Sequence, residues 1–202
     1  MKKQFWAVIL IITVFVLASC SDKQESALDE QELTAAQELL ATDGEFTDMT
    51  ADVMTADRQE KFPAVDKVAT SEDGDWIFIC SPVGYNGPIK IAVAIDSESG
   101  CSVGIRILEH LETEEYVRDM ESDWFTDRFA DKDVTKDLYT SHLTAENEQE
   151  VIIITGSTVT TQGVINGVNA AFAVYREYVL GEDQEAIPLE VEEENGPGLD
   201  QQ

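Results

Sequence analysis

The sequence predicts an α+β fold, a mainly antiparallel sheet packed with a long C-terminal helix. Three observations carry that expectation. Ile89, Ile91, Val93 and Ile95 alternate with smaller or polar residues, and Val103, Ile105 and Ile107 repeat the pattern after a turn at residues 96–100. A period of two in both arms marks a hairpin with one buried face. Val164, Val168, Phe172, Tyr175 and Val179 recur at spacings of three and four, as on one face of a helix. The element order is helix, strands, short helix, strand, long helix, which is not the regular alternation that builds a parallel sheet.

Along the chain, Lys2 and Lys3 precede an apolar run from Phe5 to Ala18. That run falls short of the roughly 20 residues a spanning helix needs and fits the core of a signal peptide. It ends in Leu17-Ala18-Ser19-Cys20, which resembles the lipobox of bacterial lipoproteins. Residues 1–19 are thus expected to be a lipoprotein signal peptide, with Cys20 lipidated and the domain held outside the cytoplasm by a lipid anchor in the membrane. Residues 20–60 read as an acidic linker, in which residues 26–41 form a helix or a plain spacer. The folded domain is expected over residues 61–181.

Within it, residues 76–80 are a short apolar strand. Residues 121–130 are helical with Ser122 as cap, and Trp124, Phe125 and Phe129 pack on the sheet. The continuous apolar run at residues 151–154 reads as a buried strand, and the closing helix runs over residues 161–180. Residues 182–202 hold eight acidic residues, no basic one and two prolines, and read as a disordered tail.

Composition limits function. Of 202 residues, 41 are acidic and 13 basic, for a net charge of −28. Nucleic acid is excluded as a partner, since phosphate backbones need a basic face. The three cysteines, Cys20, Cys80 and Cys101, have no CxxC spacing, and with two histidines they offer no zinc or iron–sulfur site. Cys80 and Cys101 are either two buried thiols or a disulfide pair. His110 has no partner that would make it catalytic. No nucleophile elbow, phosphate loop or dinucleotide fingerprint is present.

The segment that carries chemistry is Thr155-Gly156-Ser157-Thr158-Val159-Thr160-Thr161, a hydroxyl-rich turn between a buried strand and a helix. Such a turn presents backbone N–H groups and the positive end of a helix dipole, a seat for phosphate. Taken alone it reads more readily as a plain helix cap built on Thr160 or Thr161.

This segment resembles the flavinylation motif of the FMN-binding domain family, which includes the G subunit of Rnf-type electron transport complexes and the C subunit of sodium-pumping NADH:quinone reductases. Thr155, Gly156, Ser157 and Thr158 match the motif, and Thr160 and Thr161 match the pair that follows. Two further blocks match in order. Gly84-Tyr85-Asn86-Gly87-Pro88-Ile89 resembles the family's strand entry, and residues 103–113 resemble the strand that ends in Glu-Thr, here Glu112-Thr113. Residues 124–132 resemble the Phe-rich helix. There are two departures. Ile152 stands where the family motif opens with Asp, and Glu114-Glu115-Tyr116-Val117 replaces a Pro-Gly-Leu-Gly loop.

The resemblance implies a fold of the FMN-binding-domain type and FMN as cofactor, joined by phosphoester to Thr158 by a separate flavin transferase that uses FAD. It implies that Gly156 and the start of the final helix hold the phosphate, with Ser157 beside them. Gly84 and Gly87 would let backbone approach the flavin edge, Tyr85 would pack on the ring, and Glu112 and Thr113 would offer hydrogen bonds near it. The function implied is electron transfer between membrane redox proteins, in a complex or free-standing. The rival readings are an extracellular FMN-dependent reductase and a flavin-free binding or assembly lipoprotein.

Overall fold

The computed structural model describes residues 27–113, 115 and 118–189. Residues 1–19, Cys20 and residues 190–202 of the expected tail lie outside the described residues. Among the described residues no helix is long and apolar enough to cross a membrane.

The centre is a five-stranded antiparallel sheet in sequential order. Its strands are β1 (Phe46–Asp48), β2 (Val65–Ser71), β3 (Trp76–Cys80), β4 (Ile89–Asp96) and β5 (Cys101–His110). The hairpin expected from the alternation is β4–β5, and the Asp96 carboxylate closes its turn by accepting the N–H groups of Glu98 and Ser99. β1 and β2 escape the sequence pattern. β2 carries a register shift between Val65 and Lys67 where it pairs with β3, and that bulge breaks the period of two.

Helix α1 (Glu30–Leu40) covers one face of the sheet. It starts on a full capping box: the Asp29 carboxylate accepts from Gln31 and Glu32 N–H, and the Glu32 carboxylate accepts from Asp29 N–H at 2.8 Å. Its Ala35, Ala36 and Leu39 pack with Leu28 on Ala69, Ile77, Ile79, Ala92 and Ala94. The fully buried Glu32 carboxylate lies 2.7 Å from Lys67 Nζ and 2.8 Å from Lys90 Nζ, so its charge is paired on the sheet surface. The described part of the expected linker is therefore a layer of the fold. Two short helices, α2 (Thr50–Val53) and α3 (Ala56–Lys61), close the remainder of that stretch.

The opposite face meets the long helix α5 (Thr158–Tyr175), which continues as a π-helical turn over Arg176–Leu180. Val68, Phe78, Ile91, Val93, Ile95 and Ile105 pack there against Val164, Val168 and Phe172. The helix begins three residues earlier than its periodicity suggests and is buried nearly all round, because chain segments cover its outer side as well. Val179, expected on the buried face, is 40% exposed, since the wider last turn changes the phase of the helix.

Between sheet and α5 run α4 (Asp123–Thr126), a 3₁₀ turn at Asp127–Phe129, and two short parallel strands, β6 (Tyr139–Ser141) and β7 (Glu150–Ile152). Phe125 and Phe129 are buried edge to face at 5.3 Å. Trp124, expected beside them, points outward with the Arg128 guanidinium 3.6 Å above its ring, because neighbours on a helix face different ways. The Asn169 side chain bonds both backbone groups of Leu138, and Arg176 bonds the Val134 carbonyl and the Asp137 carboxylate, so α5 holds this layer in place. The start of the expected tail turns back as well: Ile187 N–H donates to the Lys61 carbonyl, and Ile187 and Leu189 touch the core.

Both cysteines outside the signal region are free thiols. Cys80 ends β3 and pairs with Ile91, while Cys101 starts β5 and pairs with Asp96, so the two sit at opposite ends of the hairpin. The disulfide alternative is thereby removed. Burial, and then the charge of Asp66, pushes the Cys80 thiol well up, which keeps it protonated and inert.

Candidate functional site

At the Ile89–His110 end of the hairpin, on the α5 side, three chain segments enclose a cavity of about 430 Å³. Tyr85 and Asn86 come from the loop before β4, Glu112 and Thr113 from the chain just past β5, and residues 156–160 from the turn into α5.

The α5 segment is shaped by its backbone. Gly156 has φ +84°, a left-handed conformation that favours glycine and turns the chain out of the strand. Ser157 N–H then donates to the Ile154 carbonyl and Thr161 N–H to the Ser157 carbonyl, which starts the helix. Thr158 is its first residue and is exposed on the cavity side. The first turn of a helix leaves N–H groups without intrahelical partners, so the region around Thr158 carries positive potential.

The other hydroxyls of the motif have distinct partners. Thr161 is fully buried, and its Oγ1 accepts the Ile154 N–H at 3.2 Å. Thr160 Oγ1 donates to Glu112 Oε2 at 2.8 Å. Ser157 is buried and lines the cavity, while Thr155 is exposed and does not.

Glu112 is the hub. Besides Thr160, it accepts the Asn86 N–H on Oε1 at 2.8 Å, and Asn86 Nδ2 donates to Thr113 Oγ1 at 3.2 Å. One carboxylate therefore ties the start of α5, the end of β5 and the loop into a single hydrogen-bonded rim. Gly84 makes this possible: a Cβ there would lie 2.6 Å from Glu112 Oε1 and 2.5 Å from Ile89 Cδ1. Gly84 thus leaves room for protein groups and is itself outside the lining, as is Gly87, whose φ of +148° closes the loop beneath Leu111. Asn86 belongs to the block that resembles the family's strand entry, but its hydrogen bonds to Glu112 and Thr113 depend on contacts 26 and 27 residues away, which spacing alone does not reveal.

The loop is seated on the helix through two glycines. A Cβ on Gly163 would lie 2.5 Å from the Val83 carbonyl oxygen, and one on Gly167 would lie 2.6 Å from Pro82 Cγ. This Gly-xxx-Gly spacing gives two bare positions one turn apart, and the strand entry rests in them. Tyr85, at the loop tip, is 73% exposed over the cavity mouth.

Ile152, where the family motif has Asp, is half-buried in β7, and its carbonyl accepts from Arg128 Nη1 at 2.5 Å. His110 Nε2 lies 3.2 Å from Glu121 Oε1, outside the cavity lining.

Residues 84–173 match the family model for the FMN-binding domain. The matched segment resembles an FMN-binding domain. Its limits run from the first glycine of the loop to the last turns of α5, so every cavity-lining residue falls inside it. The chain also has similar curated relatives. One is the G subunit of the ion-translocating oxidoreductase complex of Vibrio vulnificus (strain YJ016), 32% identical over 108 residues, 50% of each chain. Another is the G subunit of the Na(+)-translocating ferredoxin:NAD(+) oxidoreductase complex of Acetobacterium woodii, 32% identical over 94 residues, 46% of this chain and 44% of that one. The chain spans about half the length of the curated relatives it matches. Among solved structures, the C subunit of the Na(+)-translocating NADH-quinone reductase from Parabacteroides distasonis aligns with a TM-score of 0.49 at 19% identity, over 59% of this chain and 63% of that one.

Proposed function

We propose that this chain is a membrane-anchored flavoprotein on the outer side of the cytoplasmic membrane. In this reading it carries FMN as a phosphoester on Thr158 and passes electrons between membrane redox proteins. The observation that carries it is the meeting of three separated sequence blocks, at residues 84–87, 112–113 and 155–161, around one cavity with an exposed threonine at a helix start.

The residues fit the group. Thr158 Oγ1 is the nucleophile for attachment, and its position on the first helical turn sets a phosphodiester against the free N–H groups there. A flavin transferase would deliver the FMN phosphoryl from FAD. Attachment would form the Thr158 Oγ–P bond, break the pyrophosphate P–O bond and release AMP with the electron pair, the hydroxyl proton passing to the transferase. Bound flavin supplies reversible electron storage, and the protein supplies placement and tuning. Glu112 holds the rim closed and would place a carboxylate near a bound flavin, while Tyr85 and Asn86 form the outer wall. Cys20 supplies the lipid anchor, which confines exchange to partners at the membrane. The reading is supported further by the match of residues 84–173 to the FMN-binding domain model and by the chain's likeness to subunits named for oxidoreductase complexes.

The test is mass spectrometry of protein made with its transferase. The peptide holding Thr158 should carry one FMN adduct, absent from Thr158→Ala. A colourless, unmodified protein from its own host would refute the assignment.

A further inference from the structure

The charged group lining the cavity is Glu112; among the described residues no Lys, Arg or His lines it. Glu114, Tyr116 and Val117, which follow Thr113 in sequence, add no cation, and Arg118 is exposed and outside the lining. Other cations near these segments in sequence are engaged elsewhere: Lys90 with Glu32 and Asp29, His110 with Glu121, and Arg128 with the Ile152 carbonyl and the Trp124 ring. What remains is the start of α5, equivalent to about half a positive charge.

A phosphate monoester such as free FMN carries about −1.5 to −2 at neutral pH. The helix start offsets only a part of that, while Glu112 and a chain of net charge −28 oppose it. A phosphodiester carries one negative charge, and riboflavin carries none.

We propose that this cavity is selective for a neutral flavin or a flavin phosphodiester and disfavours free FMN. The inference rests on the reading above and specifies the ligand class of the same site. The ring and its ribityl chain would meet a mostly uncharged lining that includes Tyr85, Asn86, Thr113 and Val159, with Glu112 its carboxylate. The phosphate is tolerated once esterified to Thr158. Transfer from FAD keeps the phosphorus disubstituted throughout, so the cavity never has to accept a monoester. The covalent bond is then what retains the phosphate in a site to which no described residue brings a cation.

The full-length chain, made without a transferase, is titrated with riboflavin and with FMN while flavin fluorescence is followed at low and at high salt. Riboflavin should bind roughly tenfold more tightly at low salt, the scale of one charge–charge contact across water in an open cavity. The ratio should fall toward one as salt screens the phosphate. Glu112→Gln should narrow it at low salt. FMN binding as tightly as riboflavin overturns the proposal, and so does riboflavin binding that stays undetectable into the millimolar range. Peptide mapping of protein matured with the transferase separates the two claims. An FMN adduct on Thr158 together with an FMN-preferring cavity refutes this inference alone, whereas a missing adduct refutes the reading beneath it.

Discussion

At Gly163 the backbone of α5 lies so near Val83 that a methyl group has no place, since the atom it would meet is a carbonyl oxygen rather than a yielding side chain. Gly163→Ala gains about 1 kcal/mol of helix propensity and loses about 1–3 kcal/mol to overpacking. The clash wins, so the urea midpoint should fall, and flavin loading should fall with it because the loop carrying Tyr85 is displaced. Glu112→Gln acts on charge instead. It removes a negative charge beside the cavity, so the midpoint potential of the loaded protein should become more positive in a redox titration; an unchanged or lower value would contradict a role for the carboxylate in tuning. At this scale the sequence is informative where a motif concentrates residues, as at Gly156 and Thr158. It is silent on Asn86 and Gly163, whose importance depends on which distant segment folds against them. Thr160 and Thr161 are visible as a pair, yet their different partners, Glu112 and the Ile154 N–H, emerge only from the fold.

Single elements show the same division. Strands β4 and β5 and helix α5 are legible because their apolar periods are sustained, and β3 because its short run is wholly apolar. β2 is not, since its bulge puts Val65 and Val68 out of step with a simple alternation. α1 is half legible: its stripe of Leu and Ala is imperfect, and its docking depends on the small Ala92 and Ala94 opposite. Removing its cap with Asp29→Ala should lower stability by about 0.5–2 kcal/mol in denaturant unfolding. The connection between the 3₁₀ turn and β6 carries a pH dependence of its own. Asp133 is held at about 2, against an ordinary 3.8, by Lys136, by the Thr135 hydroxyl and by the Thr135 N–H. A depressed carboxylate stabilises the fold above its unfolded value. That stabilisation is therefore complete above about pH 4 and disappears as pH drops through about 2. Thermal unfolding of Asp133→Asn and the parent should differ at about pH 6 and converge near about pH 2, with a small gap because the group is partly exposed.

Taken whole, the molecule is a three-layer body under strong like-charge stress, with 41 acidic residues against 13 basic ones. Self-repulsion of that size favours expansion, so added sodium chloride should raise the melting temperature through screening; a fall would mean that the ion pairs outweigh the repulsion. The pairs at Glu32, Glu177 and Arg176 are local exceptions set where elements meet. The architecture as a class is readable from composition and period. Its third layer is not, because acidic composition makes residues 27–60 look like spacer, although Leu28, Ala36 and Leu39 are buried against the sheet.

That hidden layer governs where the chain can safely be cut. A protein beginning at residue 61 would lose α1 and leave Ile77, Ile79, Ala92 and Ala94 facing water on a flat strand surface. Apolar patches of that kind recruit other copies of themselves. Such a shortened form should precipitate on overexpression, whereas one that keeps everything from Ser21 onward should stay monodisperse in size-exclusion chromatography.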